Sequence, residues 1–419
     1  MKKWDAYVVY LTMTALGSLA FSLVVTVNLV YQATVAGLNP LQLVLVGTLL
    51  EATAFLGEVP TGVIADVYSR RLSIIIGVFL TGLGFLVEGS FPLFGAILLA
   101  QVIWGLGATF PSGAEQAWIA DEIGEERVGH AFLRASQVGQ LAGLVGIAAS
   151  VMLASIRINL PILIGGALFV VEAIFLVLVM PERGFRAAPG QARSSWQQMG
   201  ATLRGGIRLV RVRPVLLTLL AISAIHGMFS EGFDRLWTPH VLANFTFPAL
   251  GNFEPVIWFG IIQAVGMLIS IGANEVARRR VDTTGHHTVA RALFAIYALT
   301  VATVVVFGLA GNFGLALVAF WATGALRSTS GPLFNAWLNQ NLDSSVRATV
   351  FSMTAQSNAI GQIAGGPILG VVGTFVSLRA ALVAAGLALA PSLPLYARTI
   401  RVTPKTAEVE ATLPATPPG

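Results

Sequence analysis

The sequence predicts an all-α membrane protein, with twelve transmembrane helices arranged as two six-helix bundles. Three observations carry this reading. The chain of 419 residues is 55% hydrophobic and only 11% charged, which is more apolar surface than a soluble core can hide. Apolar runs of roughly 20 residues, the length a bilayer demands, recur between short polar turns. The basic residues gather in alternate turns, as orientation in a membrane requires. Backbone groups in lipid must be satisfied within their own segment, so each run reads as a helix.

The runs lie at 6–32, 41–65, 72–91, 93–119, 131–154, 159–181, 214–237, 255–277, 291–310, 313–338, 347–372 and 377–397. The first follows Met1-Lys2-Lys3, but it is too long for a secretory signal and lacks a small-residue cleavage site. It reads as a retained span. With the amino terminus inside, all of the 25 lysines and arginines except Arg157, Arg235, Arg327 and Arg379 fall on the cytoplasmic side. Both termini are therefore expected in the cytoplasm and the chain in the inner (plasma) membrane.

The longest polar stretch divides the spans six and six. The expected layout is an amino-terminal bundle at 1–181, a cytoplasmic linker at 182–213, a carboxy-terminal bundle at 214–402 and a disordered cytoplasmic tail at 403–419. An internal repeat supports the division. Ser112-Gly113 with Ala117-Trp118 recurs as Ser330-Gly331 with Ala336-Trp337, Arg127 recurs as Arg347, and Gly139-Gln140-Leu141-Ala142-Gly143 recurs as Gly361-Gln362-Ile363-Ala364-Gly365. Three matches in order at an offset near 220 indicate duplicated halves.

Composition excludes several functions. There is no cysteine, so disulfides, thiolate metal sites and CxxC redox chemistry are out. The charge of +5 is spread over the turns and forms no groove-sized patch, so nucleic acid is not an expected partner. No metal or cofactor is expected, because His286-His287 lacks further ligands and reads as a solvated turn. A membrane enzyme is the rival class, but no His-Glu-x-x-His and no nucleophile elbow occur. All three lysines lie at the chain ends, so there is no Walker lysine for an ATP-driven pump.

Ionisable residues at membrane depth are costly and mark candidate sites. Glu51 and Glu58 lie seven residues apart in span 2 and share a face. A carboxyl group that changes protonation as access alternates would couple protons to transport, whereas one hydrogen-bonded to a neighbouring helix would serve packing. In span 7, Glu231 and Arg235 are spaced for an intrahelical pair, read with Asp234 as lying near the outer interface. His226 is deeper and reads either as a titrating group or as a packing residue. Arg327, mid-way along span 10, is too deep to snorkel and needs an anionic partner or a wet cavity. Glu231 is the expected partner, and a fixed lock between helices is the structural alternative. Asn28, Tyr31 and Gln32 in span 1, with Gln101 and Trp104 in span 4, are candidates for lining a cavity or for packing. Asn244-Phe245-Thr246 is a formal glycosylation sequon.

The segment Gly62-Val63-Ile64-Ala65-Asp66-Val67-Tyr68-Ser69-Arg70-Arg71 resembles the Gly-x-x-x-Asp-(Arg/Lys)-x-Gly-(Arg/Lys)-(Arg/Lys) signature between the second and third helices of the major facilitator superfamily. Val67 and Ser69 depart from it. The resemblance implies a gating motif of Gly62, Asp66, Arg70 and Arg71, with Glu115, Asp121 and Arg127 at the inner end of span 4 bonding to the hinge. It also implies that spans 1, 4, 7 and 10 line a cavity. The pattern is closest to the drug-efflux branch, the macrolide and tetracycline type of exporter. Two features depart from that branch: Gln101 stands where an arginine is usual in span 4, and Leu144 rather than proline follows Gly143 in span 5.

The resulting expectation is a monomeric secondary transporter in the lipid bilayer that exports a lipophilic or amphipathic small molecule, with protons as the coupling ion. Uptake or facilitated diffusion of a metabolite is the alternative on the same fold.

Overall fold

The computed structural model describes residues 4–186, 214–249, 255–282, 285–340 and 344–401. Three of the twelve spans are each built from two helices. Span 1 joins Ala6–Val25 to Asn28–Thr34, span 4 joins Phe94–Thr109 to Ala114–Ile123, and span 12 joins Leu378–Leu389 to Ser392–Arg401. In the first half, spans 2, 3, 5 and 6 are Pro40–Val67, Arg70–Ser90, Glu125–Ala154 and Leu160–Val179. In the second, spans 7 to 11 are Pro214–Asn244, Ile257–Arg280, His286–Leu309, Phe313–Gln340 and Ser344–Phe375. Most of the expected linker, the tail at 403–419, and the side chains of His286 and Arg347 lie outside the described residues.

Ten of the twelve spans are apolar and long enough to cross a membrane. Spans 10 and 11 are not among them, although they run 28 and 32 residues. Both carry polar side chains at mid-depth, including Arg327, Asn335, Asn358 and Gln362.

Local chemistry sets the helix starts. Asp5 accepts from the Tyr7 and Val8 amides at the head of span 1. Asn39 and Gln42 form a reciprocal capping box around Pro40 at the head of span 2, which satisfies two otherwise orphaned donors. Gly124, at φ +85, turns the chain sharply from span 4 into span 5. Span 5 therefore begins at Glu125 rather than near 131, with Glu125 and Glu126 placed favourably in its first turn. Span 7 continues past the expected stop at 237 to Asn244, with Pro239 inside it. Proline removes one backbone donor but need not end a helix that packs on all sides. Spans 2, 10 and 11 likewise enclose Pro60, Pro332 and Pro367.

The packing repeats with the sequence. Span 1 packs on spans 5 and 6, and span 7 on spans 11 and 12; span 3 packs on spans 4 and 6, and span 9 on spans 10 and 12; span 2 packs on span 4, and span 8 on span 10. Each of these contacts thus recurs six spans later. The repeated tryptophans Trp118 and Trp337 are both fully buried. The halves meet through span 2 against spans 7 and 11, span 1 against span 7, and span 5 against span 8; the contacts of span 2 with span 11 and of span 5 with span 8 are related by the same symmetry.

These meetings cluster at the end of the bundle opposite the amino terminus, called here the far end. The Leu41 amide donates to Thr374 Oγ1 at 2.9 Å, and Val30 and Val44 join the core of the second half. The opposite end, which carries Arg70, Arg71, Arg127 and Arg278–Arg280, is called the basic end.

Spans 7 and 11 approach most closely where Gly227 faces Asn358 and Gly361 faces Ala224. A Cβ built at Gly361 would lie 2.0 Å from the Ala224 carbonyl oxygen, a backbone atom that cannot swing aside. Gly361→Ala is expected to destabilise the folded protein by about 1–3 kcal/mol through overpacking. Gly324→Ala in span 10, where nothing lies within 4 Å of the new methyl, is expected to be neutral. Thermal unfolding of the two variants in detergent checks this, and equal midpoints would overturn the close approach.

Candidate functional site

The second half contains a cavity of about 530 Å³. Spans 7, 9, 10 and 11 supply its lining, including His226, Tyr297, Arg327, Asn335, Phe351 and Asn358. These residues lie mid-way or towards the basic ends of their spans, so the cavity occupies the basic half of the bundle while the far end is packed shut.

Arg327 is held on its fork. Its two terminal nitrogens donate to both carboxylate oxygens of Asp234, at 2.5 and 2.7 Å, and the guanidinium lies 5.3 and 5.4 Å from the ring centres of Phe229 and Phe233. A planar fork on a carboxylate, flanked by aromatic faces, is an arrangement that arginine makes and lysine does not. The expected partner, Glu231, is instead bonded to Arg235 of its own helix at 3.3 Å. Asp234 lies about 60° around span 7 from Glu231, and that turn directs one carboxylate to span 10 and the other to span 2.

Nor is the Glu231–Arg235 pair interfacial. Glu231 is 3% exposed, because span 7 runs on to Asn244 and leaves it roughly 20 Å below the helix end. The pair occupies a slot between two glycines: a Cβ at Gly47 of span 2 would strike Glu231 Oε1 and Arg235 Nε, and one at Gly366 of span 11 would meet the Glu231 stem. Arg235 thereby lies against span 2 of the first half, beside Gly47 and one helical turn from Glu51.

His226 is a cavity residue. Asn358 Nδ2 lies 3.3 Å from its Nδ1, and Gln362 Nε2 donates to Asn358 Oδ1 at 2.9 Å. With the Asn358 amide as donor, Nδ1 is the acceptor and the ring proton sits on Nε2.

In span 2, Glu51 is half-buried and has no hydrogen bond among the described residues, while Glu58 is exposed and accepts from Ser112 Oγ at 2.7 Å. Asn28, Gln32 and Gln101 are 5% exposed or less and sit inside the first half rather than on the cavity. Trp104 packs against Phe85 in the same interior, with the ring centres 5.0 Å apart and the planes tilted by 49°. Gln32 and Gln101 converge on Glu88, a span 3 carboxylate that reading of the sequence passed over because it stands close to the end of its apolar run. Asn244 of the sequon is engaged on both amide atoms, by His240 and by Arg379 Nε.

The gating motif divides into a bonded part and an unbonded part. Arg70 pairs with Asp121 and donates to the Ala117 carbonyl, and Arg71 donates to the Val177 carbonyl at 2.6 Å. Glu182 accepts from Ser69 Oγ and the Arg71 amide, placing a carboxylate at the amino end of span 3, where the helix dipole favours it. Gly62 faces open space. Asp66 and Arg127 are exposed, Glu115 is half-buried, and none of the three has a hydrogen-bond or ion-pair partner among the described residues.

A family model for the Major Facilitator Superfamily matches residues 9–366. The chain is 23% identical over 369 residues to the MFS-type transporter YxaM of Bacillus subtilis (strain 168), covering 85% of this chain and 86% of that protein. Among solved structures it is similar to the nucleoside transporter NupG, with TM-score 0.76 and 14% identity over 96% of this chain and 100% of that one. It is also similar to a peptide transporter POT in complex with sulfate, with TM-score 0.72 and 13% identity over 97% and 95%. At such identities the structures carry the fold alone. The family match runs from span 1 into span 11 and so reaches both halves that the packing relates to one another, and the chain belongs to the Major Facilitator Superfamily of membrane transporters.

Proposed function

We propose that this transporter exports a lipophilic or amphipathic small molecule in exchange for protons, by alternating access, in the manner of the drug-efflux branch. The basic end faces the cytoplasm on this reading, and the conformation described is inward-facing. The observation that carries it is Arg327 on the cavity wall with its charge paired to Asp234. The two charges cancel, and the remaining lining mixes aromatic faces with amides and hydroxyls. Such a wall suits an uncharged solute with an apolar body and a few hydrogen-bonding groups. Glu51 and Glu231, gathered around Arg235 where the halves meet, are the carboxyl groups placed to exchange protons as the junction opens, with Glu58 further along the same face.

The test is a growth-inhibition panel of lipophilic drugs and dyes in an efflux-deficient host. Export is expected to raise the inhibitory concentration of at least one compound and lower its accumulation. Higher accumulation in expressing cells would favour uptake and overturn the direction.

Arg327→Leu is expected to abolish that protection, since it strands Asp234 beside the cavity at a cost of about 1–3 kcal/mol. Arg327→Lys is expected to restore little, because an ammonium cannot span both carboxylate oxygens. Full protection by Arg327→Leu at wild-type abundance would remove the residue from the mechanism.

Among the described residues Asp66 has no partner while the basic end is open, which is consistent with a contact made only when that end closes. Asp66→Asn is expected to leave membrane abundance unchanged and to slow efflux. Dye efflux from preloaded cells at the wild-type rate would rule the gating role out.

A further inference from the structure

We propose that Glu88 is a proton-binding site of the transport cycle, loaded from the far side when Arg235 leaves the junction. The inference rests on the proton-coupled reading above and assigns its proton to a residue outside the cavity.

Glu88 is completely buried near the far end of span 3. Span 1 presents Gln32, whose Nε2 lies 2.6 Å from Glu88 Oε1. Span 4 presents Gln101, whose Nε2 lies 3.2 Å from Oε2. Tyr31 Oη donates to the Glu88 carbonyl at 3.0 Å and Asn159 Nδ2 to the Gly89 carbonyl at 3.0 Å, fixing the backbone. Tyr31 from span 1 is the titratable group that touches Glu88, Arg235 is the cation that span 7 brings to the junction, and span 7 packs on the Asn28–Thr34 helix that carries Gln32.

What singles out the cluster is the identity of its partners. A buried carboxylate is ordinarily matched by a cation of its own bundle, which serves the anion alone. Two primary amides serve either state. Both can donate to a carboxylate, and a half-turn of one amide presents a carbonyl that accepts from a carboxylic acid. The two exchanged arrangements have the same heavy-atom positions. Gln32 Oε1 and Gln101 Oε1 are buried without a partner, so the arrangement with both amides donating leaves each amide half used.

Arg235 belongs to the other half. When the far end opens, spans 2 and 7 part and Arg235 moves away with span 7, while Gln32, Glu88 and Gln101 stay together on spans 1, 3 and 4. A proton from the far-side medium then adds to Glu88 Oε1, and the Gln32 amide turns to accept it. Closure returns Arg235 and displaces the proton. Loading Glu88 and opening the far end are thereby one equilibrium.

The chain has no cysteine, so labels can be placed at will. Val35→Cys and Val376→Cys put spin labels on exposed positions at the far ends of the two halves in the full-length protein reconstituted in liposomes. Pulsed dipolar distances are then read against pH in sodium-free buffer and again with sodium chloride. The background protein is expected to shift to longer distances as pH falls. Glu88→Gln is expected to hold the long distance and lose the pH response, and Glu88→Asp to keep the response with a displaced midpoint. Infrared difference spectra between the same pH values are expected to show a protonated-carboxyl band that Glu88→Gln removes. A wild-type pH response in Glu88→Gln overturns the assignment while leaving proton coupling intact, and if that variant does not fold, an unmoved midpoint in Glu88→Asp does so instead. A response to sodium at fixed pH that depends on Glu88 makes the site a metal-cation site and overturns the proton. No pH response in the background protein overturns the proton-coupled reading itself.

Discussion

One guanidinium among three carboxyl groups is the constraint around which the junction of the halves is organised. Arg235 bonds Glu231 and lies a helical turn from Glu51 of span 2, with Glu88 buried near the same end of the bundle, and ionising all three would leave two uncompensated negative charges at membrane depth. Lipid and packed side chains offer no counter-charge, so protonation or water must make up the difference. The other features of the far end follow. Gly47 and Gly366 are small because the Glu231–Arg235 pair passes between them, and span 2 approaches spans 7 and 11 closely because those glycines permit it. By contrast, the ion pair at the cavity, Arg327 with Asp234, is balanced within the second half and leaves the wall electrically neutral.

The membrane spans were legible because a bilayer imposes a length and a polarity that any window of sequence reveals. The duplication was legible too, and packing gives it physical meaning. Gly361 faces span 7 where Gly139 faces span 1 at Ser18, so the repeated glycines are repeated helix crossings. Misplacements came where tertiary packing overrode local signals. Pro239 looks like the end of a helix, and stopping span 7 there brought Glu231 and Asp234 to the surface by error. Gly124 looks like part of a loop, yet it turns two helices with almost nothing between them.

Within the candidate site, neighbours on one helix were readable and neighbours on different helices were not. The i,i+4 spacing of Glu231 and Arg235 announces their bond. Nothing in the sequence announces that Arg327 would find Asp234, 93 residues away, rather than Glu231 three positions earlier. Glu88 shows the same limit from the other side. Its partners Gln32 and Gln101 come from two other spans, and a single carboxylate close to the end of an apolar run carries no signal of burial.

The four prolines enclosed within spans have a mechanical consequence. Pro60, Pro239, Pro332 and Pro367 leave the carbonyls of Leu56, Arg235, Ser328 and Ile363 without their helical amide donors. Spans 2, 7, 10 and 11 are the helices that meet between the halves or wall the cavity, so bending stiffness is lowest in the parts that must move. Each half can then change shape as it tilts, with the strain taken up in those helices and the scaffold of spans 3, 6 and 9 left straight.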